Sequence, residues 1–187
     1  MKKVVILAFL MVSTFSFAQE TKKESKWVIG AGLNIIDNTS SGDNDYFSAS
    51  NWNATLGFSK LSVQYYYNSK FSVSSEFTTN RLDRDVKQNG QSIDTNLSYF
   101  GLDLNGRYNV ADLIKLPSKF SVEPILGVGN AWTNRNSNQS FNTGLSVGYQ
   151  FNETYGVRVQ TLGKFASEQN TVGNNMIQHS FELYFKL

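Results

Sequence analysis

An all-β fold, an eight-stranded antiparallel up-and-down transmembrane β-barrel, is predicted by three features of this sequence. These are period-2 segments of membrane-crossing length, an export signal ahead of them, and connections that alternate between tight turns and long polar stretches. The final segment shows the period best. Ile177, Phe181, Leu183, Phe185 and Leu187 fall on one face of an extended strand, and Gln178, Ser180, Glu182, Tyr184 and Lys186 on the other. Successive strand side chains point to opposite sides, so the ribbon has one oily and one wet surface. Phe181, Leu183, Phe185 and Leu187 are the expected lipid contacts of this terminal strand.

At the other end, Lys2 and Lys3 precede an apolar run from Val4 to Val12, followed by Ser16-Phe17-Ala18. That is the pattern of a secretory signal peptide over 1–18, with the barrel domain over 19–187. The run is far shorter than the roughly 20 apolar residues a spanning helix needs.

Seven further segments repeat the alternation, each near the ~9–11 residues of a tilted membrane strand. Lys26 to Ile36 turns Trp27, Ile29, Ala31, Leu33 and Ile35 outward and Gly30, Gly32 and Asn34 inward. About Trp52 to Tyr67, ill-defined at its start, puts Leu61, Val63, Tyr65 and Tyr67 out. Phe71 to Arg81 has Phe71, Val73 and Phe77 out, with Ser72, Ser74, Glu76 and Thr78 in. Leu97 to Val110 places Phe100, Leu102, Leu104 and Tyr108 out against Asp103, Asn105 and Arg107. In Phe120 to Trp132, Val122, Leu126, Val128 and Trp132 alternate with inward Glu123, Gly127 and Gly129, and Pro124 weakens the pairing. Phe141 to Phe151 alternates throughout, and Tyr155 to Phe165 sends Val157 and Val159 out with Arg158, Gln160 and Lys164 in.

The connections give orientation. Asn68-Ser69-Lys70 and Asn152-Glu153-Thr154 read as tight turns, whereas Asp37 to Asn51, Leu82 to Asn96, Thr133 to Ser140 and Ala166 to Asn175 read as loops on the opposite side. Bacterial barrels keep short turns in the periplasm and longer loops outside. Ala111 to Lys119, with Pro117, is then an unusually long periplasmic connection.

Composition excludes several classes. Without Lys2 and Lys3 the basic and acidic residues number 15 each, which gives nucleic acid no electrostatic attraction. The absence of cysteine removes lipoprotein acylation, disulfides and thiolate metal sites, and a single histidine, His179, excludes a histidine metal cluster. No cofactor is expected. Asp43-Asn44-Asp45 lacks the glycine and later glutamate of a calcium loop.

The order Trp27-Val28-Ile29-Gly30-Ala31-Gly32-Leu33-Asn34, then Leu61-Ser62-Val63-Gln64-Tyr65-Tyr66, then Phe141-Asn142-Thr143-Gly144-Leu145-Ser146-Val147-Gly148-Tyr149, then Gln178-His179-Ser180-Phe181 resembles the N-terminal membrane barrel of OmpA-type outer-membrane proteins. The resemblance covers nearly the whole mature chain. It implies residence in a Gram-negative outer membrane and a structural or surface-exposed, non-enzymatic role. It also implies contact with outer-membrane lipid and lipopolysaccharide, insertion by the barrel-assembly machinery, and outer loops whose ligand is open. The family usually adds a peptidoglycan-binding domain; this sequence ends at the eighth strand, so cell-wall tethering is not expected.

Two sets of residues stand out. Glu76, Asp103, Glu123 and Glu182 face inward with Arg107, Arg158, Lys164 and Lys186, a neutral set expected to pair in a lumen that eight strands leave just wide enough for side chains. Arg107 with Glu123 and Arg158 with Glu182 are the expected neighbours. Glu76 and Asp103 would repel unless a cation such as Arg107 reaches them. Inward glycines either make room for long side chains or leave a wet cavity. Outward aromatics gather at strand ends as interface girdles: Trp27, Tyr67, Phe71, Tyr108, Phe120, Phe151, Tyr155 and Phe185 at one rim, and Phe100, Trp132, Phe141 and Phe165 at the other. Rival readings are a small pore and a lipid-modifying barrel enzyme using His179 beside Ser180, but adjacent strand residues face opposite ways and share no hydrogen bond readily.

Overall fold

The computed structural model describes residues 26–37, 49, 52–55, 57–86, 92–134, 136–166 and 175–187. The expected signal peptide and the Asp43-Asn44-Asp45 stretch lie outside the described residues. Nine strands form one sheet: β1 (Trp27–Asp37), β2 (Trp52–Ala54), β3 (Lys60–Tyr66), β4 (Phe71–Leu82), β5 (Leu97–Tyr108), β6 (Phe120–Thr133), β7 (Asn136–Gln150), β8 (Tyr155–Ala166) and β9 (Met176–Lys186). Every pairing is antiparallel, and β1 pairs with β9 from Val28↔Lys186 to Asp37↔Ile177. The eight long strands therefore close into a barrel, and β2 continues the β3 staircase beside β1.

Closure follows from the alternation. Residues of one parity are buried in the lumen and those of the other carry the exposed large hydrophobics, among them Leu104, Leu126, Val128, Val159, Phe181, Leu183 and Phe185. An apolar coat this continuous requires an apolar surrounding, since water tolerates such patches only at small size. The lumen is more varied than the sequence reading held. At the end bearing residues 37, 82 and 97, Ile36, Leu82, Tyr99, Ala131 and Met176 turn inward and pack together, with Ile93 and Leu97 against them. An oily cap thus sits above a polar middle.

Three connections define the opposite, turn end. In the turns 67–70 and 151–154 an asparagine does the same work twice: Asn68 Oδ1 accepts from the amides of Lys70 and Phe71, and Asn152 Oδ1 from those of Thr154 and Tyr155. An Asx turn of this kind replaces backbone bonding where the chain reverses. The third connection winds through Ala111 to Lys119, with the Leu116 amide donating to the Ala111 carbonyl at 3.0 Å and Lys115 held at φ 56°. Pro124 sits where the paired register of β5 and β6 has just ended, at Arg107↔Ile125.

Two expectations are corrected. Thr133 to Ser140 is not a loop: β6 runs to Thr133, β7 starts at Asn136, and Thr133↔Asn136 is a paired position. The second segment is not one strand. Between Gly32↔Lys60 and Ile35↔Ala54, Leu33 and Asn34 of β1 oppose five residues, 55–59, so the partner chain bulges. Ser59 anchors the bulge by donating its amide to the Gly32 carbonyl at 2.9 Å and accepting the Asn34 amide on Oγ at 2.8 Å. Gly57 takes φ 104° there, a backbone state that costs other residues strain.

Candidate functional site

The polar middle of the lumen is built around Glu76, fully buried on β4. Its Oε2 lies 2.9 Å from Lys60 Nζ and its Oε1 2.6 Å from Arg107 Nη2. Ser74 Oγ and Asn105 Nδ2 also donate to Oε1, and Gln160 Nε2 donates to Oε2 at 2.9 Å. A carboxylate can be buried when its lone pairs are met by charge-assisted donors, as they are here. Arg107 spreads its guanidinium over Glu76, Glu123 (3.2 Å), Ser74 (2.8 Å), Ser146 (3.1 Å) and Gln160. Glu123 also accepts from the Tyr66 hydroxyl at 3.2 Å and from Ser146 Oγ at 3.2 Å.

Two more pairs flank this centre. Towards the oily cap, Lys164 Nζ is 2.7 Å from Asp103 Oδ1 and donates to the Tyr99 hydroxyl at 3.3 Å, while Asn142 Nδ2 donates to Asp103. Towards the turn end, Arg158 Nη1 is 3.0 Å from Glu182 Oε1, and Lys60 Nζ is 3.5 Å from Glu182 Oε2. Glu76 and Asp103 are directly opposite in the β4–β5 register. Their repulsion is relieved because each faces its own cations, Lys60 and Arg107 for one and Lys164 for the other.

Of the charged residues singled out from the sequence, seven lie in this buried network. Lys186 does not: it is half-buried at the turn-end mouth, where Nζ donates to Gln150 Oε1 at 2.7 Å. The fourth buried base is Lys60, which the sequence reading omitted. Its inward place follows from Leu61 facing out one residue later, but the bulge at 55–59 obscured where the strand begins. The inward glycines make room for long side chains. A Cβ at Gly156 would stand 2.5 Å from the Tyr184 hydroxyl, and one at Gly101 would stand 2.6 Å from Thr78 Oγ1 and 2.9 Å from the Tyr99 hydroxyl.

Outside, the register draws the aromatics into belts. At the turn end Trp27↔Tyr65, Phe71↔Tyr108, Phe120↔Tyr149 and Tyr155↔Phe185 are cross-strand pairs that use each of the eight long strands once. Tyr67 and Phe151 extend the ring, Phe151 with its ring 6.1 Å from that of Tyr155. At the other end Phe100↔Trp132 and Phe141↔Phe165 cover β5 to β8, and the Trp52 and His179 rings, 5.5 Å apart, stand on the far side. His179 Nδ1 is 3.0 Å from Thr161 Oγ1 on the outer face, whereas Ser180 points into the lumen and accepts from Lys60 Nζ at 3.0 Å. The Ser–His combination that an enzyme would use is thus split across the wall.

No protein-family model matches the sequence, and no curated protein does. Solved structures match the fold. Neisserial surface protein A (NspA) aligns with a TM-score of 0.56 at 15% identity, covering 87% of this chain and 98% of that one. The outer membrane protein OprG of Pseudomonas aeruginosa gives 0.55 at 13% identity, covering 88% and 94%. The N-terminal β-barrel domain of Pseudomonas aeruginosa OprF gives 0.54 at 10% identity, covering 88% and 100%. With its eight long strands, closed register and apolar coat, the chain has the fold of the small outer-membrane β-barrels.

Proposed function

We propose that the protein is an integral outer-membrane barrel with a structural, surface-presenting role and no catalytic one, exported by a signal peptide over 1–18 and surrounded by outer-membrane lipid and lipopolysaccharide. The observation that carries this reading is the combination of an apolar exterior belted by aromatic pairs with a lumen whose middle, from Lys60 through Glu76 and Arg107 to Glu123, is shut off from solvent. A wall that dissolves in lipid and a centre that passes nothing leave the connections at the loop end as the working surface. Closure also satisfies the strand edges that a bilayer cannot hydrogen-bond. The barrel-assembly machinery is the partner this architecture calls for, and the ligand of the outer loops is open. The split of His179 from Ser180 speaks against the lipid-modifying enzyme, and the filled lumen against the pore.

Expression in a Gram-negative host followed by membrane fractionation tests the reading. The protein is expected in the outer-membrane fraction, with a gel mobility that differs between unheated and boiled samples because the barrel resists detergent until heated. Recovery in the soluble periplasmic fraction with one mobility would overturn it.

A further inference from the structure

Below the ion-pair network the barrel opens at its turn end into a cup of about 810 Å³. Its floor is made by Arg158, Tyr66 and Tyr184, and its rim carries Lys26, Lys119 and Lys186 against one acidic side chain, Glu153, and the terminal carboxylate of Leu187. The volume is in the range of small-molecule sites, roughly 300–1,000 Å³. The charge is lopsided because the buried acids are spoken for: Glu182 faces Lys60 as well as Arg158, and Glu123 faces Arg107. Arg158 is the exception among the buried bases. Only 2% exposed, it touches Glu182 and lies over the Tyr184 ring at 5.2 Å, yet its Nε makes no hydrogen bond and Nη1 meets Glu182 by proximity alone. A guanidinium offers five donors in a fixed fork, and Arg158 is the buried base that also lines the cup.

We propose that the cup binds a small solute bearing two oxyanionic groups, one carboxylate or phosphate held by Arg158 at the floor and the other by Lys26, Lys119 and Lys186 at the rim. The floor supplies the planar fork suited to a two-oxygen contact, and the rim supplies ammonium point charges on long side chains. A single-charged anion engages only one of the two. The site stands on the cup itself; that the periplasm supplies the solute rests on the membrane orientation proposed above.

The test uses the refolded chain in zwitterionic micelles, titrated with succinate and separately with acetate at matched ionic strength, and read by amide chemical shifts. Succinate is expected to move Gly156, Arg158, Tyr184 and Lys186 and to bind at least tenfold more tightly than acetate. The double variant Lys26→Gln with Lys119→Gln is expected to weaken succinate at least fivefold, and Glu153→Gln to tighten it about twofold. Arg158→Lys keeps the charge, loses the fork and is expected to cost tenfold; if it does not refold, the rim variants decide. Equal affinity for the two anions, shifts elsewhere on the barrel, or rim variants that bind succinate unchanged would overturn the site.

Discussion

Lys60 and Lys186 carry the same side chain on the two strands that flank β1 and differ in everything that matters energetically. Lys60 has no contact with solvent and bridges Glu76, Glu182 and Ser180, whereas Lys186 stands at an open mouth. Removing one partner of a buried pair strands the other charges in a poor solvent at a cost of about 3–5 kcal/mol, while a pair near solvent is worth about 1 kcal/mol or less. Urea unfolding in lipid vesicles should therefore rank Lys60→Ala well below Lys186→Ala in stability, by about 2 kcal/mol or more. Side-chain direction was readable from parity for nearly every charged residue, because one outward neighbour fixes the face of the next. Parity also spoke for Ile36, Leu82 and Met176, two residues from Asn34, Asn80 and Gln178, but apolar residues on a polar face carry no signal of their own until a cap is seen above them. Partner choice was not readable, since Arg107 reaches residues up to 53 positions away in sequence.

Strands announce themselves in sequence more clearly than their interruptions do. The tight turns were legible at Asn68 and Asn152 because an Asx turn needs a short polar acceptor at its first position. Replacing either by alanine removes two hydrogen bonds to amides that water then meets, so a loss of about 1 kcal/mol per turn is expected in equilibrium unfolding, additive in the double variant because the turns lie in separate hairpins. The 133–136 reversal was missed because Asn136 to Ser140 is polar on both faces, as a strand beyond the oily band can be. The bulge at 55–59 was missed because extra residues erase the alternation where they sit. Its anchors, Ser59 just ahead of β3 and the Asn80 side-chain amide on β4 that donates to the carbonyls of Asn34 on β1 and Asn53 on β2, are far apart in sequence and have no local pattern.

For the molecule as a whole, the exterior sets the environment and the interior sets the seal. Leu183 is exposed on the outer face of β9, between Val157 on β8 and Ala31 on β1. Leu183→Arg puts a charge into that band and is expected to destabilise the folded barrel by about 2–4 kcal/mol in phospholipid vesicles, with little effect in micelles that let the side chain reach water. Equal losses in both would mean that the coat is not a bilayer contact. Strand number and face were legible because membrane length and alternation repeat eight times; the aromatic belts became pairs only with the register, which no single segment encodes. The Leu187 amide donates to the Trp27 carbonyl at 3.0 Å, beside the β1–β9 seam. A ring of neighbours has no intrinsic first member, so a circular permutant that splices 187 to 27 through a short linker and opens the polypeptide at the Asn152 turn would inherit each adjacency unchanged.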